Sequence, residues 1–271
     1  METKIALVTG GTSGVGLSIV RELTQHNYTV FFIGRNLEKG KSIETELNQK
    51  SSNHHFIPLD LSDLDAVTIF VKKIKTEFKK LDLLVNVAGI INTKQLLTNK
   101  GLDKTFSVGY LSVFILCNGL IPILEKGENA RIVNVSGEPF QVLKPILDFK
   151  NLNFKNKNGF KIAFDTMHAK TVLTQILSEK LKTKNITVNS FHPGIVQSNL
   201  GRDLPILFRI LSKMALLFMS KKSSNGIYCC LSDTINDKSG YLFVKKKPIK
   251  ISFTKEYQEL LWNKTVLIIN A

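Results

Sequence analysis

The 271-residue chain is poor in cysteine, tryptophan and acid: it has three Cys, one Trp and, against 37 Lys and Arg, only 22 Asp and Glu. Cys117, Cys229 and Cys230 fit neither a disulfide framework nor a zinc pattern, so an intracellular, reducing setting is expected and a bound metal is not. A strand begins almost at the first residue, leaving no charged region followed by an apolar one. Neither a secretory signal nor an N-terminal anchor is therefore expected. No apolar run reads as long as a spanning helix, about 18 residues. The formal charge of +15 is spread along the chain, with one tight run at Lys245–Lys247. That distribution suits solvated helix faces, and no basic motif interleaved with aromatics points to nucleic acid. A last absence bears on chemistry: no Tyr lies between Tyr110 and Tyr228.

What is present is an alternation of strand and helix. The apolar runs "KIALVTG" (4–10), "TVFFIG" (29–34), "HHFIPLDL" (54–61), "LDLLVNVAG" (81–89), "ARIVNVSG" (130–137) and "ITVNSFHPG" (186–194) read as strands. Segments 16–27, 37–50, 64–80, 101–124 and 159–183 have helical spacing. Continuous apolar strands separated by helices predict a parallel sheet covered on both faces. Right-handed crossovers then give an α/β, Rossmann-like doubly wound fold, one domain over residues 1–271, with ligands outside the carboxyl ends of the strands.

Between the first strand and the first helix lies "TGGTSGVG", Thr9 to Gly16. Gly10, Gly14 and Gly16 permit a tight turn and a close approach of backbone to a pyrophosphate, and the helix N-terminus offers N–H donors and a positive dipole. Thr12, Ser13 and Val15 complete this candidate phosphate loop. The second strand ends at Gly34-Arg35-Asn36, where no acid is present to accept a ribose 2′-OH. The planar fork of Arg35 suits a 2′-phosphate, so NADP(H) is expected ahead of NAD(H).

The loop, together with "GRNLEKG" (34–40), "LDLSDL" (59–64), "LLVNVAG" (83–89), "RIVNVSG" (131–137), "NGFK" (158–161) and "TVNSFHPGIVQSNLGR" (187–202), resembles the short-chain dehydrogenase/reductase family, in its retinol-dehydrogenase-like branch. The resemblance runs from residue 4 to about residue 263. It implies an intact cofactor cleft. Asp60 corresponds to the family's adenine-contacting Asp, with Asn36, Leu61, Asn86, Ala88 and Gly89 along the cofactor. Pro193, Gly194, Val196 and Ser198 border the nicotinamide.

The family's redox members use Asn, Ser, Tyr and Lys to deliver a proton to the alkoxide that hydride transfer creates. Aligned from "NGFK", the Tyr and Lys positions are Ala163 and Met167. The Ser and Asn positions are Gly137 and Gly109, and Val87 replaces the second Asn of N-N-A-G. All four relay groups are gone, which leaves a pocket expected to be larger and more apolar. Lys170 and His168 are weak candidates to rescue the relay. Asp165 lies near them in sequence. His192, before Pro193, reads as structural. The apolar segment 204–220, carrying Arg209 and Lys213, corresponds to a lid and suits a lipophilic ligand or peripheral membrane contact.

Three functions follow as expectations. The first is an NADP(H)-binding pseudoenzyme serving as scaffold or sensor. The second is an NADP-dependent oxidoreductase on a lipophilic alcohol, aldehyde or ketone with a non-standard relay. The third is a non-redox isomerase or cyclase using the emptied pocket. Helices 101–124 and 159–183 correspond to the family's dimer faces, so a homodimer or a place in a larger complex is expected.

Overall fold

In the computed structural model, residues 3–49, 53–144, 146–194 and 222–270 are described. The predicted alternation holds. The elements are β1 Lys4–Thr9, α1 Gly14–Leu23, β2 Tyr28–Gly34, α2 Leu37–Asn48, β3 His55–Pro58, α3 Leu64–Glu77 and β4 Leu83–Asn86. Then come α4 Lys104–Leu124, β5 Ala130–Val135, α5 Pro139–Val142, α6 Gly159–Lys180 and β6 Ile186–Phe191. The chain closes with α7 Ser224–Leu231, β7 Tyr241–Val244, β8 Lys247–Lys250 and α8 Lys255–Asn270.

The described strands form one eight-stranded sheet in the order β3-β2-β1-β4-β5-β6-β7-β8, parallel except for β8. The order reverses between β1 and β4, which opens a crevice at the carboxyl ends of these strands. Apolar side chains pack on both faces. One core joins Ile19, Val20, Phe32, Phe56 and Cys229 on the α1, α2 and α7 side. The other joins Val67, Leu116, Leu120, Leu173 and Leu261 on the side of α3, α4, α6 and α8.

Local chemistry sets the helix starts. Asn36, Asp63 and Asn158 each accept a hydrogen bond from the backbone N–H three residues on, at 2.8, 3.0 and 2.8 Å. Each satisfies a donor that the first turn cannot pair. α4 contains a π-turn at Ser107–Leu111. Contrary to the expectation that no run is long enough, α4 has the length and hydropathy of a membrane span, but 72% of that stretch is buried inside the protein. It is the core helix of a two-sided packing, apolar because it is covered.

The β7–β8 hairpin turns on Lys245 and Lys246 at φ +49° and +64°. Positive φ at both central positions is the type I′ geometry, where Asn and Gly are the usual residues. The Lys245–Lys247 run therefore makes a turn. Its geometry is held by a hydrogen bond from Lys246 N to Asn225 Oδ1 at 2.8 Å and by the Lys246 ammonium 5.6 Å from the Tyr228 ring.

Candidate functional site

The first half of the cleft is the β1–α1 turn. Gly10 and Gly14 have φ of +67° and +52°, which β-carbon sterics make costly for other residues. A Cβ on Gly10 would stand 2.9 Å from Ala88 Cα, and one on Gly16 would stand 2.2 Å from the Gly10 carbonyl oxygen. The backbone there can be only glycine. Ser13 occupies the N-cap in extended conformation, yet its side chain caps none of the first-turn N–H groups, and no acid stands in that turn. These donors are thus left for an anion, as pyrophosphate binding requires. Thr12 packs its methyl under Gly34, where a Cβ would come within 2.5 Å of it. Val15 is buried behind the loop.

Thr9, the first residue of the glycine motif, ties the loop to its neighbour. Its buried hydroxyl accepts from Val87 N at 3.0 Å and Ala88 N at 3.1 Å and donates to Val85 O at 3.4 Å. This joins the ends of β1 and β4 across the crevice and places Ala88 and Gly89 opposite the glycines. Among the described residues no atom lies within 4 Å of a Cβ built on Gly89.

Arg35 is exposed at the end of β2. Burial pushes the Asp60 carboxyl up, but hydrogen bonds from Ser62 N and Oγ, at 2.9 and 2.8 Å, and the charges of Arg35 and Lys104 outweigh it and hold the carboxyl below the usual range. An ionised acceptor and a guanidinium therefore lie at the adenosine end of the crevice. Asn36 spends its side-chain oxygen on capping α2, and Leu61 is buried.

Asn86 lies beneath the cleft. It is fully buried, and its amide donates to Asn134 Oδ1 at 2.8 Å and to Cys117 Sγ at 3.3 Å. Asn134 continues to Thr174 Oγ1 at 3.0 Å, and Ser190 Oγ reaches the same oxygen at 2.9 Å. This polar chain knits β4, β5 and β6 to α6. Asn86 Oδ1 is left without a partner.

At the far end, Gly194 has φ +74° and follows Pro193, with its N–H directed to His192 Nδ1 at 3.3 Å. His192 Nε2 lies 3.3 Å from Glu138, and its backbone N–H bonds to Phe243 O at 2.9 Å. Val196, Ser198 and the lid segment 204–220 fall outside the described residues.

The second half of the cleft is where α4, β5 and α6 meet. Asn158 caps α6, and Gly159 is forced, because a Cβ there would lie 1.7 Å from Asn92 O. This anchor sets the register of Ala163 and Met167. Gly109 lies in the π-turn of α4, and a Cβ on it would meet Thr166 Cγ2 at 2.5 Å. A Cβ on Gly137 would have Val142 at 3.0 Å, Gln141 at 3.2 Å and the Met167 sulfur at 3.4 Å. Thr166 therefore stands against Gly109, and Val142 and Met167 against Gly137, so at these two positions neighbouring side chains occupy space that the sequence suggested was empty.

The rescue candidates have separate fates. His168 is turned away from the cleft. Its Nδ1 lies 3.0 Å from Val142 O and its Nε2 2.8 Å from Tyr257 OH. A carbonyl only accepts, so the ring is the neutral Nδ1–H tautomer and accepts from the phenol. Burial pushes its pKa down to about 4, against the pull of the Val142 bond and Asp165. It is a structural strut. Asp165 is fully buried and paired with Lys157 at 3.1 Å and Lys161 at 2.5 Å.

Lys170 lies on the same helical face as Ala163 and Met167, one turn further on, and is 2% exposed. Its charge lies near Cys117, whose sulfur meets the Asn86 amide beneath the cleft. No hydrogen bond or ion pair meets its ammonium among the described residues. Burial brings its pKa down to about 8, with Cys117 close enough to oppose the shift. Burial raises the Cys117 thiol to about 12.

Known proteins agree with this geometry. The family model described as short chain dehydrogenase matches residues 4–141. Retinol dehydrogenase 12 of Mus musculus is 28% identical over 271 residues, covering 96% of this chain and 84% of its own. Polyprenol dehydrogenase of Homo sapiens is 26% identical over 278 residues, covering 97% and 84%. Among solved structures, a short chain dehydrogenase from Burkholderia cenocepacia J2315 in complex with NADP is 25% identical, with a TM-score of 0.63, over 83% of this chain and 87% of that one. The Pseudomonas aeruginosa RhlG/NADP active-site complex is 21% identical, with a TM-score of 0.67, over 88% and 93%. With the fold, the glycine loop and the match over more than half its length, the chain belongs to the short-chain dehydrogenase family, in its retinol-dehydrogenase-like branch.

Proposed function

We propose that the protein binds NADP(H) and does not turn it over, acting as a scaffold or a sensor of the cofactor. One observation carries this reading. At one end of the cleft the glycines, the uncapped α1 N-terminus and Arg35 are kept, while at the other the relay positions hold Gly109, Gly137, Ala163 and Met167 with no donor in their place. The residues present suit the cofactor. The loop N–H groups would take the pyrophosphate, Arg35 the 2′-phosphate, Asp60 the adenosine, and the Pro193–Gly194 turn would border the nicotinamide. Bound NADP(H) would supply a hydride; the four relay positions offer no group to give the proton that carbonyl reduction also needs. Relatives named for retinol and polyprenol support a lipophilic small molecule as the second ligand.

The experiment is a titration with NADPH and NADH, followed by nicotinamide fluorescence and thermal unfolding, then a panel of lipophilic aldehydes and ketones. Tighter binding of NADPH with no oxidation of it by any carbonyl is the expected result. At a hundredfold excess over Kd, binding stabilises the fold by about 2.7 kcal/mol. Failure to bind either cofactor overturns the reading.

Lys170 favours a second reading, an oxidoreductase with a displaced relay. A buried amine that titrates near neutrality has the proton affinity that general acid–base catalysis uses. NADPH oxidation by a carbonyl that is lost in Lys170→Met would establish it. The isomerase or cyclase reading has less support, since Thr166 and Met167 take up the vacated space.

A further inference from the structure

α4 is apolar on nearly every side, and 16 of the 22 residues of α6 are buried. The sheet can cover only one face of each helix, so a second cover is required. The family resemblance assigns these helices to pairing with another copy. In the structure the cover is the chain's own C-terminal segment. Phe253 N donates to Gln175 Oε1 at 2.7 Å, and Gln175 Nε2 returns to Phe253 O at 3.3 Å. Lys255 pairs with Glu179. Trp262 packs against Phe114 with ring centroids 4.8 Å apart and the rings tilted by 58°, and the Lys180 ammonium lies 3.7 Å from its ring. Thr265 bonds the Tyr110 hydroxyl at 2.7 Å, with both residues fully buried. Leu261 is fully buried in the same core. If α8 were lifted away, the Tyr110 phenol would lose its hydrogen bond partner and Phe114 its ring contact.

α8 also reaches the site. The Tyr257 oxygen accepts from Ile146 N at 3.2 Å and Leu147 N at 3.0 Å and donates to His168, which in turn holds Val142 beside Gly137.

We propose that residues 253–270 stand in for a second copy of the chain: they fill the α4–α6 face in cis, exclude self-association through it, and complete the site within one chain. This inference does not depend on the cofactor reading.

Light scattering and hydrogen exchange of the full chain, from low to high micromolar concentration, test it. The expected mass is 30.4 kDa, and exchange in 104–124, 159–180 and 255–270 should not vary with concentration. A dimer that protects these segments as concentration rises overturns the proposal. In Leu261→Asp, exchange in 255–270 should rise and the mass should become concentration-dependent as the bared face pairs. Release of α8 without self-association would also overturn it. Should that variant fail to fold, Trp262→Ala replaces it under the same two readouts. Trp262 is the one tryptophan, so its fluorescence in the parent chain reports whether α8 stays docked.

Discussion

The β1–α1 turn and the α4–α6 junction lie at the same edge of one sheet and have diverged in opposite directions. In the turn, two glycines meet backbone: Gly16 faces the Gly10 carbonyl and Gly10 faces Ala88. At the relay positions of the junction, the glycines meet side chains instead, Thr166 at Gly109 and Val142, Gln141 and Met167 at Gly137. Backbone cannot yield to a new Cβ, whereas a side chain can be trimmed by mutation. The turn is therefore constrained to a geometry that suits a phosphate, whereas the junction can exchange side chains and repack.

That contrast can be broken most severely at Gly16. Gly16→Ala puts a methyl 2.2 Å from a carbonyl oxygen, so cofactor binding should be lost altogether in the titration, with thermal stability lowered as well. Retained binding would mean that the loop has slack and the comparison fails.

The next largest effect is acid-induced. The pKa of His168 falls from 6.5 to about 4 on folding. The unfolded chain binds the proton more tightly, so stability is full above pH 6.5 and is lost as pH falls toward 4. The loss attributable to this residue is about 3 kcal/mol. Chemical denaturation of His168→Gln beside the parent chain should show a flatter pH dependence in that window. An equal slope would remove His168 as the strut.

A smaller change sharpens the junction side. Gly109→Asn forces a side chain against the Thr166 methyl and should cost about 1–3 kcal/mol, the usual penalty of overpacking. Adding Thr166→Ser, which deletes that methyl, should recover most of it. Denaturant midpoints of the four chains in the cycle decide the matter. Additive effects would show that the two positions do not share space.

The mildest prediction concerns Arg35. Arg35→Ala should weaken NADPH by about tenfold, the worth of one charge-assisted contact, and leave NADH unchanged. Equal weakening of both would place Arg35 away from the 2′-phosphate.

Much of this molecule was legible beforehand, and the limits have physical causes. Strands β1, β2, β4, β5 and β6 were placed with small errors at their ends, because each is a continuous apolar run buried on both sides. β7 and β8 were not read. They are four residues each, and their turn carries Lys245 and Lys246 at positive φ instead of the Asn-Gly that signals a hairpin. α8 escaped as well, since its apolar residues lie around much of its circumference and give no single face to recognise. Tyr257 belongs to no motif, and Thr9 opens the glycine motif without showing what its hydroxyl ties together. Only their partners, distant in sequence, make them matter.

Residue type and spacing were enough to determine the alternation of strand and helix, the glycine loop and the absence of a tyrosine where a proton donor belongs. These are local properties, carried by periodicity and by a glycine's freedom to take positive φ. The packing of Thr166 and Met167 against Gly109 and Gly137, the turning of His168 away from the cleft, the burial of Lys170, and the folding of α8 over α4 and α6 were decided by the tertiary structure. Each depends on which surfaces meet in space, and sequence spacing does not carry the direction of a side chain toward an element far along the chain.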